Sequence, residues 1–85
     1  MITEKYFTGT IGAFSITEPE IAFVTPITVS RNGVIYKRVI LTAPVGREYR
    51  YINTGTIEFG TAIEQDTMDI YGARVGEIVY VKYKI

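Results

Sequence analysis

Residues 48–59 read EYRYINTGTIEF, and this stretch decides the fold of the chain. Two runs in which polar and apolar side chains alternate stand on either side of residues 53–55. Because successive side chains of a strand point to opposite faces, the alternation places one apolar set on a single face. That set consists of Tyr49, Tyr51, Ile57 and Phe59. Gly55 is free to take the left-handed conformation of a three-residue loop, so the stretch predicts a β-hairpin with one buried and one wet face.

A second hairpin is predicted upstream. Asn32 and Gly33 lie between the apolar runs ITV at 27–29 and VIY at 34–36. Asn-Gly supplies the two positive φ angles that a type I′ turn requires. Further turn signals, PVG at 44–46 and ARVG at 73–76, recur through the chain without an intervening helical period. This spacing predicts an all-β fold, a small antiparallel β-sandwich or barrel of six to nine short strands in one domain, 1–85.

The composition agrees with this class, since Ile, Val, Thr and Tyr favour pleated, half-buried surfaces. The predicted strands cover residues 5–11, 13–16, 21–24, 27–30, 34–41, 48–52, 56–60, 68–71 and 77–85. The predicted core consists of Tyr49, Tyr51, Ile57, Phe59, Val79, Val81 and Tyr83. In the last strand the opposite face begins with Ile78 and Tyr80, which are apolar as well. We expect this strand to lie at a sheet edge.

The overall composition excludes several classes of function. The 85 residues contain no Cys and no His, so there is no disulfide framework and no thiolate metal site. Nine basic and nine acidic residues cancel, which leaves no global electrostatic footprint for nucleic acid or an anionic membrane. The N-terminus lacks the features of a secretory signal, and no segment approaches the roughly 20 apolar residues of a membrane span. We therefore expect a protein made in a cytoplasm, with neither nucleic acid nor membrane as partner.

Two groups of acidic residues are candidate sites. Glu64, Asp66 and Asp69 could hold Ca²⁺, but they lack the ligand spacing of a calcium loop, so a solvated polar loop is the stronger interpretation. Glu18 and Glu20 could form a carboxylate pair for acid–base catalysis. No histidine or second catalytic element accompanies them, which favours a charged turn. We predict no catalytic residue, no cofactor and no metal.

Two further motifs carry weak signals. The glycines of residues 55–60 have the spacing of a phosphate-binding loop, yet Thr61 stands where the lysine belongs and no helix is predicted to follow. Tyr49, Arg50 and Tyr51 could form a base-stacking platform, as on an oligonucleotide-binding barrel. Alternation places Arg50 on the face opposite both tyrosines, which argues against that use.

A family resemblance is carried by four segments in order. They are VSRNGV at 29–34, GREYRY at 46–51, TGTIEF at 54–59 and GEIVYVKY at 76–83. Their order and spacing resemble those of small β-domains in bacteriophage virion structural proteins of the head-decoration, collar or fibre type. The resemblance covers 27–85, with a longer segment at 62–75 than is usual and no counterpart for 1–26.

The resemblance implies a non-enzymatic structural protein of the virion, made in the host cytoplasm, that acts through protein–protein contacts. Ile78 and Tyr80 are the predicted interface, either in a homo-oligomer, for which the resemblance suggests a trimer, or against a larger virion protein. The alternative for these two residues is a second core layer formed by 1–26. The alternative function is a carbohydrate- or peptide-binding β-sandwich module, and an oligonucleotide-binding barrel is a less favoured alternative.

Overall fold

The computed structural model describes residues 1–66 and 75–85. It is an all-β domain, as predicted, and the number of strands falls within the predicted six to nine. The strands are β1 Ile2–Thr8, β2 Ser15–Thr17, β3 Thr25–Arg31, β4 Val34–Arg38, β5 Gly46–Ile52, β6 Thr56–Gly60 and β7 Ile78–Lys84. One turn of 3₁₀ helix, Pro19–Ile21, lies between β2 and β3.

The seven strands form a single sheet that curls into a half-barrel, in the order β1-β7-β3-β4-β5-β6-β2. Every neighbouring pair is antiparallel except β4 and β5. These two strands run parallel and meet only where Lys37 faces Glu48 and Arg38 faces Tyr49. The loop at 39–45 returns the chain to the end of β4, so that β5 runs beside it in the same direction. The sheet is therefore mixed, where the sequence predicted antiparallel pairing throughout.

Both predicted hairpins are present. Asn32 and Gly33 have φ angles of +47° and +82°, the pair of positive values expected at the turn between β3 and β4. Gly55 has φ +92° and closes the three-residue loop between β5 and β6. These turns set the registers on both sides, including Tyr49 opposite Phe59.

The core lies on the inner face of the curled sheet. Its buried hydrophobic members are Phe7, Ile16, Ile21, Val29, Tyr49, Ile57, Phe59, Ile63, Val79, Val81 and Tyr83. Every predicted core residue is buried except Tyr51, which is half-buried and packs at the rim. The Tyr51 hydroxyl donates to the carbonyl of Ile21 at 2.7 Å and accepts the N–H of Val24 at 3.0 Å. Tyr51 therefore fastens the segment after the 3₁₀ turn to the sheet.

Two predictions about the strands are wrong. The strand expected at 21–24 is absent, because Pro19 begins a 3₁₀ turn and Phe23 takes a φ of +56°, which breaks extended pairing. The last strand is not at an edge, since β7 lies between β1 and β3. Residues of the unassigned N-terminal third form β1 and pair along the whole length of β7. The strand predicted at 68–71 lies outside the described residues.

Candidate functional site

An open cleft of about 400 Å³ lies on the outer face of β1, β7 and β3. We call it the tyrosine cleft. Its lining comprises Tyr6, Ser30, Asn32, Gly33, Ile78 and Tyr80. Both residues predicted as an interface from the sequence, Ile78 and Tyr80, are therefore in its wall, and both are half-buried.

Strand register brings these side chains together. Tyr6 on β1 faces Tyr80 on β7, and Tyr80 faces Ser30 on β3. Because side chains alternate along each strand, the three share the outer face while their neighbours, such as Phe7 and Val79, point into the core. Because the Ser30 side chain is small, the outer surface is lower at Ser30 than at the tyrosine rings on one side and at β4 on the other. This low area around Ser30 forms the floor of the cleft.

The two tyrosines form a tilted aromatic pair. Their ring centroids are 5.1 Å apart and their planes make an angle of 52°, a separation typical of favourable aromatic contacts. The Tyr80 hydroxyl donates a hydrogen bond to Oε1 of Glu4 at 2.6 Å. That hydrogen bond, followed by burial and the negative charge of Glu4, raises the pKa of Tyr80 to about 12. Tyr80 is thus held in its protonated form with its ring against Tyr6.

Asn32 fixes one end of the cleft. Its backbone N–H donates to the carbonyl of Ile78 at 3.0 Å, and its side-chain Oδ1 accepts the N–H of Ile78 at 2.9 Å. Its Nδ2 donates to Oδ1 of Asp66 at 3.1 Å. The β3–β4 turn is therefore tied to the start of β7 by two hydrogen bonds. Ser30 lines the cleft and is 7% exposed, so its side chain lies at the bottom of the cleft.

A buried cation lies beneath the same region, on the inner face. Arg31 is 3% exposed, and its guanidinium sits 5.1 Å from the ring centre of Tyr36 and 5.0 Å from that of Phe59. It donates to the carbonyls of Thr61 and Ala62 and to the carboxylate of Glu77. Every one of these contacts is internal, so Arg31 acts as a structural tie between β3 and the chain on both sides of 67–74.

The structure also places the other candidates from the sequence. Glu20 pairs with Lys5 at 3.5 Å, and Arg50 pairs with Glu58 at 2.7 Å across the β5–β6 hairpin. Gly55 and Gly60 belong to that same hairpin, so their spacing reflects a turn and a strand and not a phosphate loop. Arg50 and Glu58 hold each other on the face opposite Tyr49 and Tyr51.

Two residues of the acidic cluster, Glu64 and Asp66, lie in the described ranges. Asp69 lies outside the described residues, while Asp66 accepts the hydrogen bond from Asn32. In the described ranges, no group of three or more His, Cys, Asp or Glu side chains is placed to hold a metal ion. Asp66 has a structural role at the end of the tyrosine cleft.

Sequence reasoning missed Tyr6 and Ser30. Tyr6 precedes Phe7 in a strand, so alternation alone places the two side chains on opposite faces. The place of Tyr6 in the cleft depends on its pairing with Tyr80, more than seventy positions away. Nothing in the local sequence distinguishes Ser30 from other strand residues. Its place in the cleft follows only from its cross-strand neighbours Tyr80 and Ile35. Both residues became visible only through long-range register.

The fold and cleft define a small half-barrel β-domain with an aromatic outer face. Comparison with protein-family models, with curated proteins and with solved structures finds no match for this chain. Within residues 1–66 and 75–85, no helix is long and apolar enough to cross a membrane.

Proposed function

We propose that the chain is a non-enzymatic structural protein of a phage virion, and that it works through protein–protein contacts made by the outer face around the tyrosine cleft. The observation that carries the contact role is a row of side chains across four strands. From β1 to β4 the row consists of Tyr6, Tyr80, Ser30 and Ile35.

The two ends of the row are apolar and exposed, whereas Tyr80 is half-buried and Ser30 is buried at the floor of the cleft. Tyr6 is 69% exposed and Ile35 is 70% exposed, although both stand on an otherwise regular sheet. A contiguous apolar patch on a soluble domain is a mark of an interaction surface, and tyrosine is enriched in the centres of protein interfaces. Ser30 leaves a recess between the two apolar ends of the row, into which a partner side chain fits.

The virion setting is supported by the sequence resemblance. The four segments at 29–34, 46–51, 54–59 and 76–83 resemble those of virion β-domains in order and spacing, and the last of them carries Ile78 and Tyr80. The outer-face row supports the contact role independently of that resemblance. A capsid-decorating, head–tail or fibre component uses such contacts in many copies.

Quantitative mass spectrometry of purified phage particles that encode this chain tests the proposal. We expect the chain in a fixed, multi-copy ratio to the major capsid protein. Particles carrying Tyr80→Lys should retain less of it, because a charge is then placed in the contact. A chain that is abundant in the lysate but missing from particles would rule out the virion role.

A second function, carbohydrate binding, is favoured by the same cleft. The cleft combines two tyrosine rings with the hydroxyl of Ser30 at its floor, and the carboxylate of Glu4 lies beside it, where it accepts a hydrogen bond from Tyr80. Sugar recognition requires apolar faces together with hydrogen-bonding groups of this kind. Saturable shifts in the NMR signals of Tyr6 and Tyr80 on addition of a glycan would support it. Tyr6→Ala should abolish these shifts, whereas Phe23→Ala, which removes another exposed aromatic ring, should leave them unchanged.

A further inference from the structure

We propose that the free edge of β1 pairs with the β1 edge of a second copy of this chain, antiparallel about a two-fold axis, with Tyr6 opposite Tyr6 of the second copy. This inference deepens the proposed function and rests on it, since it names a second copy as the partner of the β1 edge, next to the outer face. Pairing of this kind would join the tyrosine clefts of two copies into one surface.

The hydrogen bonds between β1 and β7 show which backbone groups face the open edge. Gly9 donates to the carbonyl of Glu77 at 3.0 Å, and Ile85 donates to the carbonyl of Met1 at 3.1 Å. Because hydrogen-bonded and non-hydrogen-bonded pairs alternate in an antiparallel ladder, the odd-numbered residues of β1 bond to β7. The N–H and C=O groups of the even-numbered residues therefore point outward. They belong to Ile2, Glu4, Tyr6 and Thr8.

This edge is long and open. Within residues 1–66 and 75–85, β1 has one neighbouring strand along its seven residues, and none of the four outward-facing residues has a backbone hydrogen bond. The opposite edge of the sheet, β2, is only three residues long. A row of unpaired backbone groups is a template for strand addition, which makes β1 the edge that accepts a partner.

Charge and geometry select one register. Outward-facing residues must oppose outward-facing residues, so the two-fold axis passes through a residue of β1. An axis at Glu4 opposes two carboxylates, which is destabilising for directly facing residues. An axis at Lys5 opposes two ammonium groups, and the exposed pair of each Lys5 with Glu20 at 3.5 Å offsets that repulsion only in part. An axis at Thr3 or Phe7 leaves a shorter ladder. The axis at Tyr6 opposes two uncharged aromatic residues and places Glu4 opposite Thr8 of the second copy.

A second copy fits this edge better than a charged partner. The chain has no net charge, so two copies approach without long-range repulsion. A two-fold axis makes the contact self-complementary, the commonest arrangement among soluble oligomers. In this register Tyr80 and Tyr6 of one copy continue into Tyr6 and Tyr80 of the other, so four rings form one row on a continuous outer face.

Cross-linking between cysteine variants tests the register, because the chain has no natural cysteine. Opposed residues of a hydrogen-bonded pair lie roughly 5.5 Å apart between Cα atoms, within the range that a disulfide bridges. We expect a mixture of Glu4→Cys and Thr8→Cys to yield a disulfide dimer under mild oxidation. Neither variant alone should do so. Efficient linking of Glu4→Cys to itself, or no linking in the mixture, would overturn the register.

Sedimentation of the cysteine-free chain tests the pairing itself. We expect the wild type to form a dimer that dissociates on dilution, and Tyr6→Lys to be a folded monomer because two ammonium groups then meet at the axis. Phe23→Lys, at an aromatic site away from β1 that is also exposed, should remain dimeric. A wild type that stays monomeric at high concentration would overturn the inference, as would a Tyr6→Lys variant that remains dimeric.

The two proposals fail separately. A monomeric chain that is present in fixed ratio in particles would refute the β1 pairing and leave the virion role intact. A β1-paired dimer that is missing from particles would refute the virion role and leave the pairing intact.

Discussion

Arg31 and Glu77, which are 46 positions apart in the chain, form an ion pair of 2.5 Å inside the domain. Their side chains are 3% and 15% exposed, so the charges are held largely away from water. The Glu77 carboxylate also accepts the N–H of Glu64 at 2.9 Å. One pair of side chains thus joins β3, the segment after β6 and the start of β7.

Removing Glu77 should destabilise the domain strongly. Glu77→Ala leaves the Arg31 guanidinium buried without a counter-charge, which costs about 3–5 kcal/mol of unfolding free energy. Urea denaturation measures this loss. The matched control is Glu58→Ala, which breaks the more exposed pair with Arg50 and should cost no more than about 1 kcal/mol. Equal losses of unfolding free energy in the two variants would mean that the buried pair contributes no more to stability than the exposed pair.

The two hairpin glycines should respond differently to alanine. Both have positive φ, so Gly33→Ala and Gly55→Ala share a backbone cost of roughly 1–2 kcal/mol. A Cβ at Gly33 meets open space, whereas one at Gly55 would lie 2.2 Å from the carbonyl oxygen of Glu18. The clash should add about 1–3 kcal/mol to the loss in Gly55→Ala. Thermal or urea unfolding of the two variants gives the difference, and a larger loss at Gly33 would contradict the prediction.

Phe59 should be a principal contributor to core stability. It is 3% exposed and makes an edge-to-face contact with Tyr36 at a centroid distance of 5.5 Å. Phe59→Ala should cost about 3–5 kcal/mol in urea denaturation, because it leaves a cavity and removes a ring next to Arg31. Phe14→Ala is the control, since that ring is 59% exposed and its loss should fall within about 0.5 kcal/mol of zero.

Tyr80 should titrate well above an ordinary tyrosine. Its pKa is raised from 10.0 to about 12, first by the hydrogen bond to Glu4. Because the folded state favours the protonated hydroxyl, this stabilisation is fully present below pH 10 and is lost as the pH rises through 12. Glu4→Gln removes the charge and should lower the pKa of Tyr80 towards 10. NMR titration of ring-labelled tyrosine detects the change, with Glu18→Gln as the control that leaves it unaltered.

The hairpins could be predicted because neighbouring residues determine them. The pairing of strands that are distant in the sequence could not be predicted. Asn32 and Gly33 determine their turn through backbone preferences of two adjacent residues, and alternation in 48–59 determines which side chains become core. The pairing of β1 with β7 depends on tertiary energies between distant segments, for which the sequence contains no short-range signal. The strand expected at 21–24 failed because Pro19 favours a helical turn.

The candidate site was half predictable for the same reason. The outward position of Tyr80 follows from alternation within its own strand. The contribution of Tyr6 requires knowledge of the neighbouring strand. Arg31 has the appearance of a solvated residue beside a turn, and only the folded arrangement places Glu77 within reach of it. Burial of a charge is therefore a property of the assembled sheet and not of its local sequence.

The pairing of β1 with β7 has a consequence for the order of folding. Ile2 lies opposite Lys84, so this ladder closes a loop of nearly the whole chain and cannot form on the ribosome until β7 has emerged. The hairpins β3–β4 and β5–β6 need only local closure and can form earlier, because closure entropy grows with loop length. The ladder that brings Tyr6 to Tyr80 is thus a late event, and a nascent chain has no tyrosine cleft to offer a partner prematurely.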